Sequence, residues 1–113
     1  MIYVASDRGK TGEETKFDFF DMDFNRLPFT NGHPNSSHDF SCPQGFEKMK
    51  ELAETLSKGY PHIRVDFYDI NGKVFLGELT FFHCSGVMPF DPEEWDYKLG
   101  EWLKLPDTKL YND

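Results

Sequence analysis

Two nearby segments of the chain carry polar side chains at alternate positions, the spacing that puts side chains on one face of a β-strand. Arg64 and Asp66 alternate in the first segment, and Glu78 and Thr80 alternate in the second. Two carboxylates and a hydroxyl on adjacent strands would offer Mg²⁺ the oxygen ligands that it prefers, with water and phosphates completing its coordination. An arginine beside them suits the negative charge of a transferring phosphoryl group. These residue types therefore predict a site for a hard cation and a phosphate.

A structural role for the same residues is the alternative. Arg64 and Glu78 would form an ion pair across two antiparallel strands, on a solvated face of a sheet. Pairs of exposed charges are common in proteins, and each contributes only about 0–1 kcal/mol to stability. The spacing by itself favours this structural role over a metal site.

The turn between the two segments decides whether the polar side chains share a face. Asn71-Gly72 is a strong signal for a β-hairpin turn. With a two-residue turn, Asp66 opposes Gly77, and Glu78 points to the opposite face. With a three-residue loop closed by Gly72 at positive φ, Asp66 and Glu78 lie on one face. The local sequence permits both registers, and the metal-site hypothesis requires the longer loop.

The remaining elements predict a small fold that holds this hairpin. Apolar residues at helical spacing predict a helix over about 44–58, which ends at Gly59 and covers a sheet. The sequence at 91–94 has the cap, proline and acidic residues of a helix start, and that helix ends before Pro106. Strands are predicted at 2–5, 16–21, 62–68 and 74–82, with a long irregular segment at 30–43. Strands and two helices without β-α-β alternation predict an α+β class with an antiparallel sheet.

Composition excludes several kinds of protein. A chain of 113 residues is the size of a single domain, and its 12 Phe, 5 Tyr and 2 Trp are too many for a disordered segment. The net charge of −8 disfavours binding to nucleic acid or to an anionic membrane surface. No run approaches the roughly 18 apolar residues of a membrane span. The apolar start ends too soon for a signal peptide, and two cysteines make no disulfide framework, so a cytoplasmic location is expected.

Other groupings of reactive residues are weaker. The histidines and cysteines lack the compact spacing of a zinc site. His83 and Cys84 would point to opposite faces of a strand, which disfavours a catalytic pair. Aromatic side chains are expected in the core, both on the helix that begins at 91–94 and in the N-terminal part of the chain, where a surface for a partner is the alternative. These aromatic residues are Phe17, Phe19, Phe20, Phe24, Phe29, Trp95 and Trp102.

The hairpin sequence resembles a motif of known enzymes. Arg64-Val65-Asp66-Phe67, the Asn71-Gly72 turn and the following acidic strand resemble the C-terminal motif of ATP-grasp enzymes. More narrowly, the chain resembles the TupA-like ATP-grasp family over nearly its whole length, through the segments FDFFDMDFNRLPF, RVDFYDINGKVFLGELTFF and FDPEEWDYKLGEWLKLP. Members of that family are linked to the biosynthesis of teichuronopeptide, capsule and other surface polysaccharides.

The resemblance implies a role for each polar residue of the hairpin. Asp66 and Glu78 match the two carboxylates that hold magnesium, and Arg64 matches the arginine that contacts the phosphates of ATP. Thr80 stands where classical ATP-grasp ligases place a metal-binding asparagine, and it keeps a neutral oxygen with a shorter reach. The implied cofactors are therefore Mg²⁺ and ATP, and the implied partners are a nucleotide and a small acceptor.

The resemblance also implies an incomplete enzyme. A complete ATP-grasp fold holds ATP between two lobes, and this chain resembles the C-terminal lobe alone. We expect an ATP-dependent ligase or transferase fragment that is inactive by itself. Its expected partner is either a second copy of the chain, in a homo-oligomer, or a separate chain that supplies the missing lobe. The alternative is a noncatalytic binding or assembly module that keeps the fold without the nucleotide lobe.

Overall fold

A computed structural model describes residues 1–107 of the chain. The strands are β1 Ile2–Ser6, β2 Lys16–Phe20, β3 Thr30–Asn31, β4 Arg64–Ile70, β5 Lys73–Thr80 and β6 Phe90–Asp91. The helices are α1 Phe46–Ser57 and α2 Glu94–Trp102, with one 3-10 turn at His83–Gly86. The α+β prediction with two helices is confirmed. In the described residues the antiparallel strands form three separate pairs, β1-β2, β3-β6 and β4-β5, rather than one sheet.

The chain folds into two compact units. The first comprises Met1–Phe40 and Val87–Gly100, and the second comprises Ser41–Gly86 together with residues 101–107. Within residues 1–107, no helix has both the length and the apolar character needed to cross a bilayer.

Aromatic residues of β2 form the core of the first unit. Phe19 is almost fully buried and stacks on Phe29, with ring centroids 4.5 Å apart, and Phe29 contacts Trp95 at 4.9 Å. The aromatic-core prediction is confirmed for Phe17, Phe19, Phe20 and Phe29. The half-buried Trp95 packs against this core through Phe29. Such clusters form because each aromatic ring removes a large apolar area from water.

Two aromatic residues depart from the predicted core. Phe24 is only half-buried, although its ring stacks on Phe20 at 4.5 Å. Trp102, at the end of α2, is 61% exposed, so the prediction that it lies in the core is wrong. Helical spacing put Trp102 on the same face as Trp95, but a shared face does not guarantee that a neighbouring element covers both ends.

A buried charge attaches a loop to β2 in the first unit. Asp18 is fully buried, and its carboxylate accepts hydrogen bonds from the Arg26 guanidinium and from the backbone N–H of Ser36. Arg26 also donates to the carbonyl oxygens of Ser36 and His38. A buried carboxylate requires such partners because its desolvation cost is large. This network attaches part of the long irregular segment predicted at 30–43 to β2.

In the second unit, α1 packs on β4. The helix lies inside the predicted 44–58 range, and its apolar residues Met49, Leu52 and Leu56 are half-buried. The N-terminus of α1 is joined to the hairpin by a hydrogen bond of 2.6 Å from the backbone N–H of Gly45 to Asp69. The prediction that this helix covers strands is confirmed, and it leaves the opposite face of the hairpin for polar side chains.

Candidate functional site

The β4–β5 hairpin turns through two residues. Ile70 pairs with Lys73, so Asn71-Gly72 forms the whole turn. Both residues have positive φ, 54° and 81°, as the turn that matches the twist of a hairpin requires. The expected positive φ of Gly72 is therefore present, but the three-residue loop that the metal-site hypothesis required is wrong.

A β-bulge compensates for the short turn. Phe67 pairs with Leu76, but Asp66 pairs with Glu78, which leaves Gly77 as the extra residue of β5. A one-residue shift reverses the faces of all later side chains on that strand. Asp66 and Glu78 are consequently directly opposed on one face, where the turn alone would have separated them.

Close packing explains why the extra residue of the bulge is a glycine. A Cβ atom on Gly77 would lie 2.7 Å from Cε2 of Tyr68 and 3.2 Å from the carbonyl oxygen of Asp66. Glycine inside a strand often marks a bulge or a close approach of another group. Gly77 directly before Glu78 was therefore the one sequence signal that could have predicted this register.

The predicted site residues meet in a chain of hydrogen bonds. Arg64 donates from Nε and Nη2 to the two carboxylate oxygens of Asp66, at 2.8 and 3.0 Å. Nη2 also lies 3.2 Å from Oγ1 of Thr80, which in turn donates to Oε1 of Glu78 at 3.0 Å. Arg64 opposes Thr80 across the hairpin. The register thus differs from the Arg64–Glu78 pairing of the structural alternative, and all four side chains lie together.

His83 joins this group, and the sequence reasoning missed it. It lies in the 3-10 turn after β5, with its Nδ1 2.7 Å from Nη1 of Arg64. A guanidinium only donates, so Nδ1 accepts, and the proton of the neutral ring is on Nε2. Burial lowers the pKa of His83, and the positive charges of Arg64 and His62 act in the same direction, whereas Asp66 opposes them. The imidazole is therefore neutral near pH 7.

The arrangement excludes His83 as a general base for its neighbour. The backbone at Cys84 is left-handed, with φ of 48°, so the expectation that the two side chains diverge as on a strand is wrong. Nε2 of His83 lies 3.4 Å from the sulfur of Cys84. Because Nε2 carries the proton, this nitrogen has no lone pair with which to deprotonate the thiol.

The oxygen donors of the hairpin suit a magnesium ion whose remaining ligands are water and phosphate. Asp66 and Glu78 supply carboxylate oxygens from opposed positions, and Thr80 places a hydroxyl beside them. Mg²⁺ commonly takes one or two carboxylates and completes an octahedral shell with water and phosphates. Within residues 1–107, no group of three or more His, Cys, Asp or Glu converges as it would around a fully protein-bound metal. These residues therefore suit an ion that is also bound by phosphate better than an ion that is bound by protein side chains alone.

The polar face continues into an apolar surface near the turn. Tyr68 and Ile70 follow Asp66 at alternate positions of β4, so they lie on the same face. Phe75 pairs with Tyr68 across the hairpin, and all three side chains are exposed. The hairpin thus presents carboxylates at one end and apolar side chains at the other.

One comparison with known proteins gives a match. A family model described as TupA-like ATPgrasp matches residues 2–104 of the 113-residue chain. No curated protein and no solved structure matches the chain. The matched range includes the whole of the β4–β5 hairpin and the turn at His83.

Proposed function

The chain belongs to the TupA-like ATP-grasp family, and from this premise we propose that its β4–β5 hairpin is the carboxylate side of a Mg-ATP site. The proposed protein is part of an ATP-dependent ligase or transferase of cell-surface polysaccharide or teichuronopeptide biosynthesis, acting in the cytoplasm. The observation that carries the proposal is the direct opposition of Asp66 and Glu78, with Thr80 and Arg64 bonded to them on one face.

Each residue has a distinct role in this proposal. Asp66 and Glu78 would hold Mg²⁺, which when bound supplies positive charge between the phosphates and the carboxylates. The hydroxyl of Thr80 orients Glu78 through its hydrogen bond. Arg64 would exchange part of its contact with Asp66 for a phosphate oxygen, since a guanidinium binds carboxylate and phosphate with the same geometry. In the proposed reaction class, a substrate carboxylate takes the γ-phosphoryl group of ATP to form an acyl phosphate and releases ADP. An amine or similar nucleophile then attacks the acyl carbon and displaces phosphate.

The hairpin would contact a bound nucleotide from one direction only, so the proposed site is one-sided. Phosphoryl transfer requires positioning and charge neutralisation from several directions at once. The hairpin provides one of these directions, so we propose that a partner chain or a second lobe provides the others. For the chain alone we expect weak, magnesium-dependent nucleotide binding and no useful turnover of ATP.

A noncatalytic assembly module is the second candidate, and one observation favours it. Arg64 already satisfies both oxygens of Asp66 and contacts Thr80 and His83. A polar network whose hydrogen bonds are made within the protein also stabilises the fold without any ligand. Under this hypothesis the hairpin would not bind a nucleotide with or without metal.

Calorimetry of the isolated chain with a nonhydrolysable ATP analogue distinguishes the two candidates. The proposed function predicts binding only in the presence of Mg²⁺, and its loss in Asp66→Asn and in Glu78→Gln. Glu54→Gln is the matched control, because Glu54 is an exposed carboxylate on α1. Binding that is lost in all three variants, or no binding by the unaltered chain, would contradict the proposed function. Tight binding without metal, or turnover by this chain alone, would contradict the one-sided site.

A further inference from the structure

The guanidinium of Arg64 is held along two edges. Nε and Nη2 donate to Asp66, and Nη1 donates to His83. If Asp66 becomes a metal ligand, as the proposed function has it, its hold on Arg64 weakens. The hydrogen bond from Nη1 to His83 involves neither Asp66 nor Glu78, so it does not compete with metal binding by these two carboxylates.

We propose that His83 is the positioning residue for Arg64, a neutral acceptor that holds Nη1 so that the rest of the guanidinium faces a bound phosphate. This inference rests on the proposed function of the hairpin. His83 is not a catalytic residue, because it acts through Arg64. The contact distance of 2.7 Å is that of a strong hydrogen bond from a charged donor.

A neutral acceptor has a specific advantage at this position. A carboxylate in place of the imidazole would hold the guanidinium as well, but it would also neutralise the charge that attracts a phosphate. A neutral imidazole orients the donor and leaves that charge intact. Histidine meets both requirements when one ring nitrogen accepts and the other carries the proton.

The turn after β5 supports the ring in this orientation. The backbone N–H of Ser85 donates to the carbonyl oxygen of Phe82 at 3.1 Å, which closes a turn around His83, and Cys84 and Ser85 have left-handed backbones, with φ of 48° and 58°. The second ring nitrogen lies 3.4 Å from the sulfur of Cys84. His83 is itself half-buried, and its two ring nitrogens contact Arg64 and Cys84 in the absence of any ligand.

The test uses two substitutions that separate hydrogen bonding from bulk. His83→Ala removes the acceptor, whereas His83→Asn replaces it, because the amide oxygen of asparagine stands close to the place of Nδ1. His62→Ala is the control, since His62 lies at the same end of the hairpin and contacts the carbonyl oxygen of Phe81. NMR of the arginine side chains, without nucleotide, reports whether rotation about the guanidinium is slowed, and Arg64→Lys assigns the signal.

The expected result is slowed rotation of the Arg64 guanidinium in the unaltered chain, in His62→Ala and in His83→Asn. Rotation should be measurably faster in His83→Ala, where only the contacts with Asp66 and Thr80 remain. Affinity for the Mg²⁺ complex of the ATP analogue should fall roughly tenfold or more in His83→Ala and recover in His83→Asn, since a hydrogen bond to a charged group is involved. Unchanged rotation in His83→Ala would overturn the positioning role. So would unchanged affinity in His83→Ala when Asp66→Asn abolishes binding. No binding of the Mg²⁺ complex by the unaltered chain would overturn the proposed function. The positioning role of His83 is tested separately, because the rotation of Arg64 is measured without nucleotide.

Discussion

Asp66 and Glu78 are directly opposed across the β4–β5 hairpin, on the face that carries Arg64 and Thr80. A two-residue turn in an unbroken ladder would have put Glu78 on the other face. The bulge at Gly77 reverses that outcome by one residue. The pairing of the two carboxylates, and with it the candidate metal site, therefore depends on a residue that has no side chain.

The bulge makes Gly77→Ala a sensitive substitution. The new Cβ would meet the ring of Tyr68 at 2.7 Å and the carbonyl oxygen of Asp66 at 3.2 Å. We expect a loss of about 1–3 kcal/mol in the free energy of unfolding, typical of overpacking. Urea denaturation measures it. Gly100→Ala is the control: it lies in α2 with no atom within 4 Å of the added Cβ, and it should stabilise by up to about 1 kcal/mol. Equal effects in the two variants would refute the packing argument.

Arg26 is expected to be essential for the stability of the first unit. Arg26→Ala leaves the carboxylate of Asp18 buried without its counter-charge. Removing one partner of a fully buried ion pair costs about 3–5 kcal/mol, and we expect a loss towards or below the lower end of that range because the Arg26 side chain is 33% exposed. Thermal unfolding should show the loss, and Asp18→Asn combined with Arg26→Ala should recover part of it, because the double variant removes the unpaired charge. Arg8→Ala, at an exposed arginine, should change little. A mild effect of Arg26→Ala would mean that water reaches Asp18.

His83 should make the stability of the chain depend on pH. Its pKa is lowered in the folded state by burial and by the charges of Arg64 and His62. The unfolded chain therefore binds the proton more readily than the folded chain does. Stability should be fully present above about pH 6.5, the usual pKa of an unfolded histidine, and should fall as the pH drops from there to the folded pKa. Urea midpoints between pH 5 and 8 measure this, and His83→Asn should remove the part due to His83. An identical pH dependence in that variant would contradict the prediction.

The isolated chain is expected to self-associate. Large apolar side chains are exposed on and after the hairpin, among them Tyr68, Phe75 and Phe82. In the part of the chain that the structure describes, the β4–β5 pair has no third strand on either edge, and open edges and apolar patches both favour pairing. Light scattering across a concentration series should show a mass above that of one chain. A constant monomer mass would refute the prediction, and Phe75→Ser should reduce the association if this face is responsible.

Much of the fold follows from local patterns in the sequence. Apolar residues three or four apart define the position of α1 within two residues at each end, because this spacing gives a helix one face to bury. Strict alternation places Arg64 and Asp66 on one side of β4. Asn71-Gly72 identifies the turn, because these two residue types tolerate the positive φ that it requires. Each of these signals acts over a few residues of the chain, so a sequence is enough to reveal it.

Only the tertiary structure decided which residues make up the site. The bulge at Gly77 depends on how closely Tyr68 approaches from the opposite strand, and no count of turn residues contains that distance. His83 contacts Arg64, 19 positions away in sequence, from the turn that follows β5, and no local sequence pattern predicts that contact. Periodicity reports the face on which a side chain lies. Contacts between distant parts of the chain depend on packing. A shift of one residue in strand register, or a change in one backbone angle, gives a side chain different contact partners.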